Sequence, residues 1–329
     1  MAHRQVDQEI ERLNGLRDVP AAEAAAVLKK ALADRINLIA AKAAKLAAEL
    51  RLDVLLPDLL RAFDRLLEKP VERDPQCWGK NAIAAALVSL DHRHSDPFVR
   101  GIHHVQMEPV WGGEEDTAAT LRGTCALALQ ACSDIPRAAV FRHLVDALAD
   151  RALPVRSDAA RAIAQMDGDE AILLLRLKAR VGDTESELLG QIFDCLFQLE
   201  RDGAVPFVAG FLKPALGSAA EEAALALGAS RIAAAAQPLQ ECFPHQRDPE
   251  FRAILLRAIS ATRQPDALEF LYNLIRNGRE VDVLRTLEAL AIHRDSADIR
   301  RQTEEAASGR YEPAIREHFK ASFVRSENA

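Results

Sequence analysis

The sequence predicts an all-α chain, a right-handed solenoid of about eight stacked helical hairpins. Composition is the first ground: the 329 residues are 49% hydrophobic and 28% charged but only 5% aromatic. Ala, Leu, Glu and Arg dominate, and these are strong helix formers. The second ground is a recurring frame, a basic residue followed six and seven positions later by Ala-Leu or Ala-Ile. It occurs at Lys80, Arg122, Arg156, Arg252 and Arg285. It continues without the basic residue at Leu189 and Ala220, and starts weakly at Ile39. The intervals are 41 and 42 residues up to Arg122 and 31 to 34 after it. The third ground is punctuation: Gly, Asp and Pro sit at the joints, as in ADRALPVRSD, QRDPEF and RNGREVD. A period in the low thirties that carries two amphipathic helices is a solenoid period, because one hairpin cannot bury its apolar stripe alone.

Taken in order, residues 1–19 read as a capping helix and residues 20–308 as the repeats. Each repeat is helix, short turn, helix, for example 136–149 then 154–166, and 264–277 then 281–293. Residues 309–329 form a tail with one short amphipathic helix after Pro313. Its Ile315, Phe319 and Phe323 fall on one stripe. Closing the open end of the solenoid is the expectation for that stripe, and docking a partner the alternative.

Charge and cysteine content exclude several classes. The net charge is −7, so the basic footprint of a nucleic-acid binder is missing. No apolar run of about 18 residues is present, so no membrane partner is expected. The polar start MAHRQVDQEIERL lacks the apolar core of a secretory signal. Cys77, Cys125, Cys132, Cys195 and Cys242 form no CxxC pair. On one helix Cys125 and Cys132 stand ~10.5 Å apart, beyond disulfide reach. They read as small buried hydrophobes in a reducing cytoplasm.

The frames carry a second signal. Asp74, Asp116, Asp150 and Asp183 each precede a frame position by six residues. Such an Asp at a turn before a helix accepts from free backbone amides or pairs with a neighbouring cation. With Pro154-Val155-Arg156, Ala159-Ala160-Arg161-Ala162-Ile163, Asp248-Pro249, Phe251-Arg252 and Ala258-Ile259, the chain resembles the HEAT-repeat family over residues 20–308. The resemblance implies an Asp–Arg ladder between repeats, here Asp74, Lys80, Asp116, Arg122, Asp150 and Arg156. It also implies an interruption around Leu189 and Ala220, which lack the cation. The Trp, Gly and Tyr positions of tetratricopeptide repeats are absent.

One stretch departs from the rest: HHVQMEPVWGGEED, residues 103–116. Pro109 and Gly112-Gly113 forbid helix, so 107–116 is expected as an enlarged loop joining two helices. Trp111 and Trp78 are the two tryptophans. The expectation for the Trp111 ring is a plug between repeats, leaving His104 and the acids Glu108, Glu114 and Glu115 to meet a partner. The alternative is an exposed aromatic anchor. The segment His104 to Gly113, with Asp116-Thr117-Ala118, is similar to a stretch in bacterial HEAT-repeat proteins of uncharacterised activity.

Catalytic motifs are missing: neither GxSxG, GxxxxGK[ST] nor GxGxxG occurs. His92, His94, His103, His104 and Glu108 are a candidate metal cluster, although their spacing matches no metal motif. Deoxyhypusine hydroxylases resemble the chain in period but use His-Glu pairs for iron, and no His-Glu dipeptide occurs here. HEAT-like alkylpurine DNA glycosylases use a basic groove; Lys80, Arg122 and Arg156 could line one, but each has an Asp six residues earlier. The resulting expectation is a cytoplasmic, non-catalytic scaffold that binds a protein partner through its curved surface and the 107–116 loop. It carries no cofactor and no metal. The alternatives are a HEAT-like DNA-binding or glycosylase-type protein, and a metal-binding enzyme built on residues 92–108.

Overall fold

The computed structural model describes residues 2–323. Apart from one two-stranded sheet, its regular elements are helices. The chain divides into two compact units, Met1–Asp167 and Gly168–Ala329. The repeats were expected as one block over 20–308; the division falls inside it, directly after α10.

The first unit contains α1 (Ala2–Asn14), α2 (Ala21–Leu32), α3 (Asn37–Glu49), α4 (Leu56–Leu67), the one-turn α5 (Pro70–Arg73), α6 (Trp78–Ser89) and α7 (Asp96–Ile102). Strands β1 (Met107–Val110) and β2 (Gly113–Asp116) follow, then α8 (Ala119–Leu129), α9 (Arg137–Leu148) and α10 (Leu153–Met166). Helices α3, α6, α8 and α10 pack successively into one layer; the second layer holds α2 against α4 and α7 against α9. The repeating frame lies on the first layer. In α8 and α10 the pairs Ala128-Leu129 and Ala162-Ile163 are buried. The small residue lets one helix approach the next, and the branched one fills the remaining space.

The second unit repeats the construction with α11 (Gly168–Val181), α12 (Ser186–Glu200), α13 (Val205–Ala209), α14 (Ser218–Ser230), α15 (Ala233–Cys242), α16 (Pro249–Thr262), α17 (Pro265–Asn277), α18 (Glu280–Leu290), α19 (Ala297–Ser308) and α20 (Pro313–Phe323). One layer is α12, α14, α16 and α18; the other is α13, α15, α17 and α19. Both units are therefore stacked helical hairpins, the α-solenoid construction. At Gly228 the approach is closest: a β-carbon there would lie 2.6 Å from the Ala258 carbonyl oxygen and 2.7 Å from its Cα. Helix starts follow the sequence signals: Pro249 opens α16, and the Asp248 side chain accepts from the Glu250 N–H at 3.0 Å. Ile315, Phe319 and Phe323 are buried, and α20 rests on α18 and α19. No described helix is long and apolar enough to cross a membrane.

Candidate functional site

The odd stretch is a β-hairpin. Met107 pairs with Asp116, Glu108 with Glu115, Pro109 with Glu114 and Val110 with Gly113, antiparallel. Trp111 and Gly112 form its two-residue turn, with Gly112 at φ +94°, a left-handed value that glycine adopts without steric cost. The enlarged connection expected between two helices takes the form of paired strands between α7 and α8. Two short flanks around a central Gly are a hairpin signal, obscured here by Pro109; a proline is tolerated on an edge strand.

A hairpin of this size is marginal in water by itself. It is held from beneath by polar side chains, and the pleat decides which. Strand alternation turns Glu108 inward, to 5% exposure, while its neighbours Met107, Pro109 and Val110 are exposed. Glu108 Oε1 accepts from the Gln76 N–H at 2.7 Å, from Gln106 Nε2 at 2.6 Å and from Thr117 Oγ1 at 2.6 Å. Gln106, 1% exposed, also donates through Nε2 to the Asp74 carbonyl oxygen at 2.8 Å. Beneath it lies an ion pair: Lys80 Nζ is 2.9 Å from Asp74 Oδ2, and both side chains are fully buried. Asp74 further accepts from the Gly79 and Lys80 N–H groups at 2.7 and 2.9 Å, satisfying the start of α6, and from Asn37 Nδ2 at 2.8 Å.

The turn gripped by this network is strained. Gln76 and Cys77 are consecutive non-glycine residues at φ 61° and 56°, each costing of order 1 kcal/mol or more. Their conformation persists because Asn37, Gln106 and Glu108 bond the turn on several sides. Burial pushes the Cys77 thiol up to about 12, so it is no nucleophile at neutral pH. Burial alone would raise the Glu108 carboxyl. Hydrogen bonds from Thr117, Gln106 and the Gln76 amide, with the Lys80 charge, overcome it and hold the group below the ordinary carboxylate value.

The far end of the hairpin is tied by Arg122, 3% exposed. Its Nε and Nη2 form a fork on Asp150 at 2.7 and 3.0 Å. Its Nη1 lies 2.7 Å from Asp116 Oδ2 and donates to the His104 carbonyl oxygen at 3.0 Å. Burial opposes the Arg122 charge, and the two aspartates more than offset it, so its pKa is raised. Burial raises Asp116 likewise, and bonds from the Gln106 and Ala118 amides and from Arg122 turn the net shift downward. Arg156 Nη1 donates to the carbonyl oxygens of Asp150 and Arg151, both at 2.9 Å. In the second unit Arg252 Nη1 reaches the Gln246 carbonyl oxygen at 3.0 Å, and Nη2 reaches Asp282 at 2.8 Å. The offset of six is thus served by main-chain carbonyls at Arg156 and Arg252, and by side-chain carboxylates at Lys80 and Arg122. None of Lys80, Arg122 and Arg156 is more than 7% exposed, so they do not form a phosphate-facing row.

What the network presents is Trp111. The ring is 103% exposed, as open as in an extended chain. The expected plug is corrected: Trp111 occupies the tip of a turn, beyond the reach of neighbouring helices. No ring contact joins it to Trp78 among the described residues. Met107, Val110 and Val105 are 45%, 39% and 57% exposed nearby in sequence, and Glu114 and Glu115 are exposed on β2. Two other residues assigned to a partner do not face solvent as expected. Glu108 points inward, and His104 is half-buried with Nε2 3.2 Å from Gln106 Oε1.

The histidines fall into separate places: the His92 and His94 rings lie 5.6 Å apart, away from any contact with His103 or His104 among the described residues. His94 faces Asp134 at 3.7 Å, His92 packs by Phe98, and His103 Nε2 lies 2.8 Å from His143 Nδ1. With Glu108 engaged elsewhere, the 92–108 cluster does not converge on a point; among the described residues no group of three or more His, Cys, Asp or Glu side chains is arranged to hold a metal ion. Sequence reasoning missed Asn37, Gln106, Thr117 and Asp282. Gln106 and Thr117 carried the signal of flanking both strands; Asp282 lies three residues before Arg285, off the offset of six.

Neither a protein-family model nor a curated protein matches this sequence. Among solved structures the chain is similar to human deoxyhypusine hydroxylase in complex with glycerol, with 17% identity, 89% of this chain and 97% of that chain covered, and a TM-score of 0.27. That neighbour is an enzyme, and the expectation of a non-catalytic scaffold is corrected on this finding: a helical solenoid with no linear catalytic motif is not thereby excluded from catalysis. At that TM-score and identity the likeness assigns no activity to this chain.

Proposed function

We propose that the 107–116 hairpin is a recognition element for a protein partner, in a cytoplasmic protein of the HEAT-repeat type. The family reading is supported by the thirty-odd-residue period and the two-layer helix stacking. The observation that carries recognition is Trp111, fully exposed at the tip of a hairpin that Glu108, Gln106 and Arg122 fix from below. An exposed tryptophan costs solvation and adds nothing to the core, whereas tryptophan in a partner's pocket is a leading source of binding energy. Preorganisation by the buried network lowers the ordering cost of binding. Glu114 and Glu115 beside the ring favour a segment carrying Lys or Arg. Such a hairpin would serve an enzyme acting on a protein and a binding protein equally well; the proposal concerns recognition.

The test is a pull-down from the native cell with the full chain, followed by affinity measurement on the recovered partner. Trp111→Ala should weaken binding by ~30-fold, the equivalent of about 2 kcal/mol. Glu114→Lys with Glu115→Lys should slow association and invert its salt dependence. A partner bound equally well by wild type and Trp111→Ala refutes the proposal.

A further inference from the structure

In the second unit the starts of α16 and α18 enclose a pocket of about 310 Å³. It is lined by Arg247, Arg252, Arg279 and Arg285, with Asp282 the carboxylate in its wall and Pro249, Leu256 and Val281 the apolar part. Its volume lies at the small end of the ligand-site range. Four guanidinium groups line the pocket against one carboxylate in its wall, with Glu288 a second acid that pairs Arg285 outside the lining, so the inventory of their bonds decides what the pocket is for.

All three nitrogens of Arg252 are engaged. Its Nε and Nη2 go to Asp282 Oδ1 at 3.2 and 2.8 Å, and its Nη1 to the carbonyl oxygens of Phe243 and Gln246, both at 3.0 Å. Asp282 is committed too: its other oxygen accepts from Arg279 Nε at 3.0 Å. Of the nearby acids, Glu280 in the first turn of α18 and Glu250 in the first turn of α16 are exposed, and the others are bonded. Asp248 caps its own helix through the Glu250 N–H at 3.0 Å, and Glu288 takes Arg285 Nη1 at 3.0 Å; Glu250 is exposed and adds a weaker pull on Arg285. Donors remain on three side chains. Arg247 has no ion pair among the described residues and is exposed. Arg279 is 76% exposed beyond its bond to Asp282, and Arg285 is 45% exposed. The main-chain starts of α16 and α18, fourteen and eleven residues long, add their positive ends to the same mouth.

We propose that this pocket binds a phosphate monoester with a small apolar body, the phosphate held by Arg247, Arg279 and Arg285 and the apolar body against Pro249, Leu256 and Val281. Phosphate is preferred to carboxylate because its three terminal oxygens can each meet a separate guanidinium fork. The apolar wall separates a small ester from free phosphate. This pocket lies in the second unit and the proposal is independent of the hairpin reading.

The test is calorimetric titration of the full chain with phenyl phosphate, inorganic phosphate and phenylacetate at low salt. The expected order is phenyl phosphate tightest, inorganic phosphate weaker by several-fold, and phenylacetate weaker still. Arg247→Gln and Arg285→Gln should each weaken phenyl phosphate by about tenfold. Arg276→Gln, an exposed arginine outside the pocket that bonds Glu269, should leave it unchanged. The three replaced side chains are solvent-exposed, and an unchanged urea midpoint verifies that each variant folds. Absence of binding at millimolar phenyl phosphate, or equal losses with Arg276→Gln, overturns the proposal. Binding of duplex nucleic acid in preference to phenyl phosphate overturns it as well.

Discussion

Replacing Glu108 with Ala tests the clasp beneath the hairpin. The change removes one carboxylate and takes a bond from three donors: the Gln76 N–H loses its acceptor, while the Gln106 amide keeps the Asp74 carbonyl oxygen at 2.8 Å and the Thr117 hydroxyl keeps the Gln106 carbonyl oxygen at 3.3 Å. A buried group left without its partner costs about 1–3 kcal/mol. Two of the three donors keep another acceptor, which lowers their cost. The expected total is about 2–4 kcal/mol, read as a reduced urea midpoint by far-UV circular dichroism with an unchanged slope. The acid limb should change too. The folded Glu108 carboxyl lies below its ordinary value, so the unfolded chain binds its proton more tightly than the native chain does. Its contribution is complete above the unfolded pKa, about 4.3, and is lost as pH falls through the folded value. Glu108→Ala should therefore narrow its deficit against wild type below about pH 4. A variant as stable as wild type at pH 7, or a deficit that grows with acidity, refutes the reasoning.

Other outcomes follow from the same geometry. Trp111→Ala should shift stability by no more than about 0.5 kcal/mol, as a surface change does, in the same urea assay; a loss of 3 kcal/mol or more, the cost of emptying a buried aromatic site, would return the ring to the core. Arg122→Met breaks the fork on Asp150 and the pair with Asp116. It leaves two partly buried carboxylates facing no cation, and should cost about 3–5 kcal/mol by the same measurement. Gly228→Ala puts a methyl group against the Ala258 backbone. That should cost about 1–3 kcal/mol, the range for overpacking, in thermal unfolding of the second unit.

The fold was legible because its period and its apolar spacing describe the same object. A frame at Arg122, Arg156 and Arg252 marks helices α8, α10 and α16 because a solenoid places equivalent residues in equivalent contacts. The hairpin was only partly legible. Its composition stood out, and Pro109 and Gly112 marked it as non-helical. Its strand pairing spans four residues a side, too short for alternation to show against the surrounding helices. The residues leave the direction of Trp111 between two readings, and the less favoured one, the exposed anchor, is what the structure shows. Burial of a large ring is the usual outcome, and only the two-residue turn, invisible in composition, puts it at a tip. The ladder was half legible: the offset of six located Asp74 and Asp116. It could not reveal that Arg156 and Arg252 would use carbonyl oxygens at that offset, because the main chain leaves no trace in residue identity. The division after Asp167 is marked in the sequence by the turn dipeptide Asp167-Gly168 alone, both residues at positive φ.

The central claim is that the protein holds Trp111 out as a binding anchor on a rigid hairpin. Its most direct test is the affinity of the recovered partner for Trp111→Ala, measured beside wild type on protein whose urea midpoint is unchanged. The account predicts a loss of ~30-fold at constant stability. Equal affinity in the two proteins would contradict it.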